Sequence, residues 1–332
     1  MCPLYLTTTM ENRKTAVIDC GTNTFNLLIM EEHEGKAKPL FTSKLPVKIG
    51  EGGFQDHLIQ PKRMLRGLDA LLCHTSNCAN FECDRIFAFA TSAIRDAKNR
   101  EEFLSLTRQL CGISIQLLSG EEEATYIARG VRKSMDLNQR TSLIMDIGGG
   151  SVEFIIIQGD VDLWKASYNL GVSRMFDLFF KSDISYTRGV SPSSTSYKSF
   201  YAHLTSELKE LIAAIQLHQP HVLMGSSGSF DTLLDMHCNK VSMQIIDESV
   251  CTEIPMNSFH KMHQWMMKSS LEERYAHPHI PAIRAEYMPI STMLIDFVLK
   301  ESGIEQLMHS PFSLKEGLLD ALLSDEITHN TV

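Results

Sequence analysis

An apolar run ending in Asp, a polar Gly-containing turn and a second apolar run occur twice in this chain, at residues 15–30 and again at 142–157. The first reads Thr15-Ala-Val-Ile-Asp19, then Cys20-Gly-Thr-Asn-Thr24, then Phe25-Asn-Leu-Leu-Ile-Met30. The second reads Ser142-Leu-Ile-Met-Asp146, then Ile-Gly-Gly-Gly-Ser151, then Val152-Glu-Phe-Ile-Ile-Ile157. Short apolar runs bounded by turn residues are strands, and two strands around a tight turn form a hairpin. The two aspartates are 127 positions apart, about one domain length, so the economical reading is a duplicated architecture. Asp19 opens one domain and Asp146 the other. A length of 332 residues, at roughly 150 per domain, agrees.

The element after each turn restricts its chemistry. A Rossmann fingerprint needs strand, GxGxxG and helix, and a P-loop needs GxxxxGK[ST]. Neither is present, because a strand comes after Gly148-Gly149-Gly150. The hairpins instead offer backbone N–H groups, uncovered at glycine, that can cradle phosphate oxygens. Asp19 and Asp146 at the strand ends suit a divalent cation held through waters. Either turn alone is equally well read as an ordinary hairpin; the repetition favours the functional reading.

Between the hairpins, Pro61 opens a helix with Met64, Leu65, Leu68, Leu71 and Leu72 on one face. A buried-type strand at 85–90 leads to Thr91-Ser92 as the N-cap of a helix at 93–98, with further helix at 101–110 and a strand at 113–118. Ser119-Gly-Glu-Glu-Glu-Ala124 then opens a helix running toward Lys133, its acids suited to the positive end of the dipole. In the second half, helical patterns cover 171–180, 200–219, 230–236, 259–268, 284–300 and 313–323, a strand covers 221–224, and 191–199 is a Ser-rich loop expected to be mobile.

Formal net charge is −9, which argues against a generic nucleic-acid or anionic-membrane binder. The balance is uneven: residues 36–100 carry eleven Lys/Arg against six Asp/Glu. An anionic ligand therefore needs this locally basic region. The eight cysteines form no CxxC pair, and Cys73, His74, Cys78 and Cys83 fit no standard zinc spacing. The pairs His260 with His263 and His277 with His279 likewise find no carboxylate or thiol to complete a metal set. Reduced thiols in a cytoplasmic protein are expected. No run approaches the roughly 18 apolar residues of a membrane span. The polar residues 1–14 read as a disordered leader, 15–133 as the first domain and 134–332 as the second, whose last helix is free to pack back on the first.

Five segments carry a resemblance: Ala16-Val-Ile-Asp-Cys-Gly-Thr-Asn-Thr-Phe-Asn-Leu27, Ala90-Thr-Ser-Ala-Ile-Arg-Asp-Ala-Lys-Asn99, Ser119-Gly-Glu-Glu-Glu-Ala124, Asp146-Ile-Gly-Gly-Gly-Ser-Val-Glu153 and Gly225-Ser-Ser-Gly-Ser229. In this order they resemble the motifs of the exopolyphosphatase/guanosine pentaphosphate phosphohydrolase family, within the superfamily of actin, sugar kinases and heat-shock-chaperone ATPases. The resemblance spans about residues 15–323. It implies an α/β chain of two actin-like, ribonuclease-H-like domains with a phosphate-binding cleft between them, where water attacks the terminal phosphoryl group of inorganic polyphosphate or guanosine pentaphosphate with Mg²⁺. Such chemistry needs charge neutralisation, alignment and an oriented nucleophile.

By that resemblance Glu123 matches the carboxylate that activates the water, Glu153 a second carboxylate for water activation or metal binding, and Arg95 a phosphate clamp on a loop fixed by Thr91 and Ser92. Asp19, Asp146 and Glu153 are the implied metal ligands. Gly21, Thr22, Asn23 and Thr24, with Gly148, Gly149, Gly150 and Ser151, would cradle phosphates, and Gly225, Ser226, Ser227, Gly228 and Ser229 would form a third anion loop. Local sequence alone favours reading Glu123 as a dipole-complementing acid and Arg95 as a surface partner of Asp96, and leaves Glu153 open to being a solvent-facing hairpin residue and 225–229 a plain turn; the resemblance reverses these readings. The chain departs from the family in carrying lysines at Lys44 and Lys48 where many members carry arginines, in Glu286 and Ser291 within the late Arg284 helix motif, and in lacking the extra C-terminal helical domains of longer members. A short, two-domain member, forming a homodimer by analogy, is the expectation. The basic residues Lys44, Lys48, Arg95, Lys98 and Arg100 are expected around the cleft. An ATP-dependent small-molecule kinase of the same superfamily and a non-catalytic polyphosphate or alarmone sensor are the alternatives.

Overall fold

The protein is described by a computed structural model covering residues 13–33, 36–135, 140–238, 250–324 and 326–327. Strands β1 (Arg13–Cys20), β2 (Thr24–His33) and β3 (Lys36–Pro46) form an antiparallel meander. Ala16, Val17 and Ile18 are all essentially unexposed, so β1 is apolar without alternation because both its faces are covered. Helix α1 (Pro61–Asn80) leads to β4 (Arg85–Ala90), parallel to β1. The single turn α2 (Ser92–Arg95) and helix α3 (Arg100–Cys111) lead to β5 (Ile115–Leu117), parallel to β4. Helix α4 (Gly120–Arg132) opens on a capping box in which the Ser119 hydroxyl accepts from the Glu122 amide and the Glu122 carboxylate from the Ser119 amide.

The second half repeats the plan. Strands β6 (Thr141–Ile147), β7 (Val152–Gln158) and β8 (Val161–Tyr168) form its meander. The short α5 (Val172–Met175) runs into a π-helical stretch, Phe176–Phe180. Helices α6 (Thr195–Glu207) and α7 (Lys209–His218) precede β9 (Val222–Ser226), parallel to β6. The chain continues through α8 (Ser227–Cys238), β10 (Thr252–Glu253), α9 (Met256–Lys268), α10 (Leu271–Ala276), α11 (Met288–Ser302), β11 (Leu307–His309) and α12 (Leu314–Leu323). The sheets run β3-β2-β1-β4-β5 and β8-β7-β6-β9-β11-β10. Apart from the added edge strand β10, the two orders are the same, and this meander with two parallel additions is the ribonuclease-H-like order. The duplicated architecture read from the two hairpins and the α/β fold class implied by the resemblance are both observed.

Each sheet buries one face under its own helices and turns the other toward α4 and α12. Val17, Leu28, Phe87 and Phe89 from the first sheet, and Ile144, Ile155 and Ile157 from the second, meet in one cluster with Ile127 and Val131 of α4 and Leu318 and Leu322 of α12. The helices cross closely because glycine stands on both sides: a Cβ on Gly130 would overlap the Ser313 carbonyl, and one on Gly317 the Tyr126 carbonyl. Arg129 ties the crossing by ion pairs to Asp320 and Glu326.

Several expectations require correction. Leu65 and Leu72 are 64% and 42% exposed; the buried face of α1 is Met64, Gly67, Leu68, Leu71, His74 and Cys78, one step round the helix. The helix expected at 93–98 is a single turn ending at Arg95, and the Thr91 side chain makes no capping bond. The helix expected over 200–219 breaks at Leu208. The Ser-rich loop is already helix from Thr195, capped by the Ser194 hydroxyl, which accepts from the Tyr197 amide. Arg284 lies before α11 rather than in it. Of the expected leader, Arg13 and Lys14 begin β1 and the rest lies outside the described residues. Among the described residues no helix is long and apolar enough to cross a membrane.

Substituting Gly317 by Val should lower unfolding free energy by about 1–3 kcal/mol, the range for forcing side-chain volume into a packed contact. Leu65→Ser should change it by less than about 0.5 kcal/mol, as for other exposed positions. Urea unfolding followed by circular dichroism compares the two.

Candidate active site

The carboxyl ends of β1 and β6 face one another, and between them lies a cavity of ≈ 190 Å³ lined by Asp19, residues 21–24, Thr91, Ser92, Glu123, Asp146, residues 148–151, residues 227–229, Arg284, Ser313 and Lys315. The two glycine turns touch. A Cβ on Gly150 would collide with the Ser92 hydroxyl and press on Thr22, so this approach requires glycine there. Thr22 and Ser92 hydroxyls are themselves 3.4 Å apart. Across the junction the Ser173 hydroxyl donates to Asn23 Oδ1 at 2.9 Å.

The start of α5 organises the second turn. Amides of Val172, Ser173 and Arg174 donate to the carbonyls of Gly148 and Gly149 at 2.9–3.1 Å. Among the described residues the amides of Gly149, Gly150 and Ser151 donate to no backbone carbonyl. Amides left without a backbone acceptor at the lining of a cavity are the groups an anion cradle would use.

Four carboxylates gather below the turns. Glu123, in the first turn of α4, is 6% exposed, with Oε2 3.3 Å from Arg95 Nη1. Burial and then Glu153 push its proton affinity well above the usual carboxylate range, while Arg95 opposes them. Glu153, on β7, accepts from the Ser167 hydroxyl at 2.7 Å; burial and then Asp146 bring its pKa to about 7. Asp19 accepts from Asn26 Nδ2 at 2.9 Å, and burial brings it to about 6. Asp146 is raised by burial, against three serine hydroxyls that donate to it: Ser226 at 2.5 Å, Ser227 at 2.7 Å and Ser313 at 2.6 Å.

These contacts revise the expected metal set. Among the described residues no three His, Cys, Asp or Glu side chains are arranged to hold a metal ion. Asp146 is largely engaged by serines, and Glu153 sits behind the cavity wall under Ser167. Asp19 differs, since its Oδ1 is buried without a hydrogen-bond partner and the residue lines the cavity. It fits as a single carboxylate ligand for a Mg²⁺ whose other ligands are waters and phosphate oxygens.

Residues 28–326 match the family model described as the Ppx/GppA phosphatase family. The chain belongs to that family. It is 26% identical over 313 residues to a guanosine-5'-triphosphate,3'-diphosphate pyrophosphatase of Vibrio vulnificus, covering 93% of this chain and 59% of that protein. It is 25% identical over 319 residues to exopolyphosphatase 1 of Mycobacterium tuberculosis, covering 94% and 89%. The crystal structure of an exopolyphosphatase from Cytophaga hutchinsonii superposes with a TM-score of 0.87 at 31% identity, covering 94% and 98%.

Within this Ppx/GppA fold, not every residue expected at the site reaches the cavity. Arg95 is absent from the cavity lining and bonds to Glu123 at 3.3 Å, to Asp96 at 3.2 Å and to the Leu118 carbonyl at 2.9 Å through Nε and Nη1, so in the ligand-free protein it holds the carboxylate. Gly225 packs beneath the Phe230 ring, and Ser226 is fully buried on Asp146; β9 runs straight into α8, leaving Ser227, Gly228 and Ser229 of the expected third loop at the cavity. Lys98 and Arg100 are exposed, because the chain turns away after α2. Lys48 pairs with Glu286 at 3.8 Å and lies over the Tyr287 ring, while Lys44 is within electrostatic reach of Asp19, Asp231, Arg284 and Lys315. Ser313 and Lys315 went unpredicted as site residues, although the Ser-x-x-Glu capping box at Ser313 and Glu316 is readable.

Raised carboxylates make stability fall with pH, since the folded protein holds protons that the unfolded chain releases. For Glu153 this contribution is complete below its ordinary value of 4.5 and lost as pH rises through about 7. Glu153→Gln should therefore stabilise the ligand-free protein by roughly 1–3 kcal/mol at pH 8 and by little at pH 4.5. Thermal unfolding of both proteins at the two pH values measures this.

Proposed function

We propose that this Ppx/GppA member is a Mg²⁺-dependent phosphohydrolase releasing terminal orthophosphate from inorganic polyphosphate, or the 5′ γ-phosphate from guanosine pentaphosphate. The observation that carries the reading is Glu123, enclosed at the acidic end of the cavity beside the amides of the glycine turns and oriented by Arg95. A buried carboxylate of raised proton affinity is a better general base than an exposed one.

In this reading the amides of Gly149, Gly150 and Ser151 hold the terminal phosphoryl oxygens, and Glu123 orients a water in line with the bond to be broken. The water oxygen bonds to phosphorus, its proton passes to Glu123, and the bond from phosphorus to the bridging oxygen breaks. The shortened substrate keeps that oxygen and both its electrons, and Glu123 later returns its proton to solvent. Bound at Asp19, Mg²⁺ would neutralise phosphate charge in the loose transition state of phosphoryl transfer. Arg284 and Lys315, which line the same cavity with Lys315 in electrostatic reach of Asp19, suit the remaining phosphates, Arg284 as a fork and Lys315 as a point charge. The Vibrio and Mycobacterium relatives, by their names, divide between the two substrates named here.

Glu123→Gln should reduce orthophosphate release by about 10²–10⁴-fold, the usual contribution of a general base, with an unchanged unfolding midpoint at pH 5. Release from long-chain polyphosphate and from guanosine pentaphosphate, each with Mg²⁺ and with chelator, identifies the substrate. Turnover retained by the folded Glu123→Gln protein, or indifference to chelation, rejects the corresponding part of the reading.

A further inference from the structure

Arg174 belongs to none of the five motifs, yet it is only 6% exposed and touches both halves of the site. Its Nε donates to the Gly150 carbonyl at 2.8 Å and its Nη2 to Asp96 Oδ2 at 2.7 Å, with the guanidinium 4.7 Å from the centre of the Phe54 ring. The other oxygen of Asp96 accepts from Arg95 Nε at 3.2 Å, and Arg95 Nη1 reaches Glu123 Oε2 at 3.3 Å. An unbroken chain thus joins the carbonyl of the phosphate-cradling turn, Arg174, Asp96, Arg95 and Glu123.

The links are of unequal strength. Arg95 meets Asp96 and Glu123 through one bond each, both longer than the bond from Arg174 to Asp96. A carboxylate alone with an arginine tends to close a two-bond fork with it. Arg174 occupies the Asp96 oxygen that such a fork would need, which keeps the second face of Arg95 turned to Glu123. A buried arginine–carboxylate pair contributes little net stability, because desolvation offsets its attraction. What it fixes is geometry. The same guanidinium also grips Gly150, so the cradle and the base are set relative to one another by one side chain.

We propose that Arg174 is a positioning residue for the hydrolytic site: through Asp96 it holds Arg95 against Glu123, and through the Gly150 carbonyl it keeps the second glycine turn in register with that pair. This role rests on the phosphohydrolase reading above.

The test is kcat and KM for orthophosphate release by the wild type, Arg174→Gln, Arg95→Lys and the double variant, on whichever of the two substrates the wild type turns over, with unfolding midpoints alongside. Arg174→Gln should lower kcat by about 10–100-fold, as expected for misplacement of a catalytic group by about an ångström, and change KM by less than about threefold. In the Arg95→Lys background it should lower kcat by several-fold less than in the wild type, since the Asp96 arm is already interrupted and only the Gly150 arm is left to lose. If Arg174→Gln does not fold, the isosteric Asp96→Asn carries the same comparison and should show the same selective loss in kcat. Multiplicative effects in the double variant, or near-wild-type kcat in a folded Arg174→Gln or Asp96→Asn protein, overturn the role of Arg174 alone. An inactive wild type overturns the phosphohydrolase reading and this role with it.

Discussion

The contact between the two glycine turns is the constraint on which the rest of the structure depends. Gly150 lies so close to Thr22 and Ser92 that an added Cβ would collide with the Ser92 hydroxyl, and that contact sets the carboxyl ends of β1 and β6 on either side of one small cavity. Elements that meet there are fixed by it: α5 closes the back of the second turn, α4 delivers Glu123 from below, and α12 delivers Ser313 to Asp146 and Lys315 to the rim. The glycines at the crossing of α4 and α12 serve the same end, because helices farther apart would not present Glu123 and Ser313 to one pocket.

The electrostatics result from this crowding. Four carboxylates removed from water and close enough to affect one another all hold their protons more tightly than free acids. Hydroxyls of Ser167, Ser226, Ser227 and Ser313 and the amide of Asn26 compensate part of that cost. Arg95 is the cation paired directly with the cluster. Arg284 and Lys315 line the same cavity, and Lys315 and Lys44 both act on Asp19.

Much of the fold was legible because its signal is local. The two hairpins, β4, α4 and β9 are strongly patterned segments, and the turn residues between them have few alternative uses. Elements that escaped the sequence lack such patterning. Strand β8 is half-exposed along its length and shows no clean alternation; β10 and β11 span two and three residues, too short for any period to register. Leu65 and Leu72, which face solvent, misled because a leucine counts as apolar wherever it points, whereas the buried side of α1 carries Gly67, close against Ile49 and the Phe103 ring, and His74, hydrogen-bonded to the Phe25 carbonyl of β2. The expected cleft lysine and arginine beyond α2 failed for a similar reason: the length of a helix after a strong N-terminal signal depends on what it packs against.

The sequence by itself determined the duplicated strand–turn–strand plan, the two aspartates at the strand ends, the glycines that bare the backbone, and the acidic first turn holding Glu123, since each stems from residue type and spacing within a few positions. Only the tertiary structure decided how these parts are used. It placed Glu153 behind the wall under Ser167, engaged Asp146 with serines from β9, α8 and the start of α12, left an Asp19 oxygen open, and turned Arg95 from the cavity toward Glu123. It also brought Arg174 across 78 positions to Asp96. The physical reason is that a hydrogen bond or ion pair is specified by both partners, and partners far apart in the chain become neighbours only after both sheets have closed on α4 and α12.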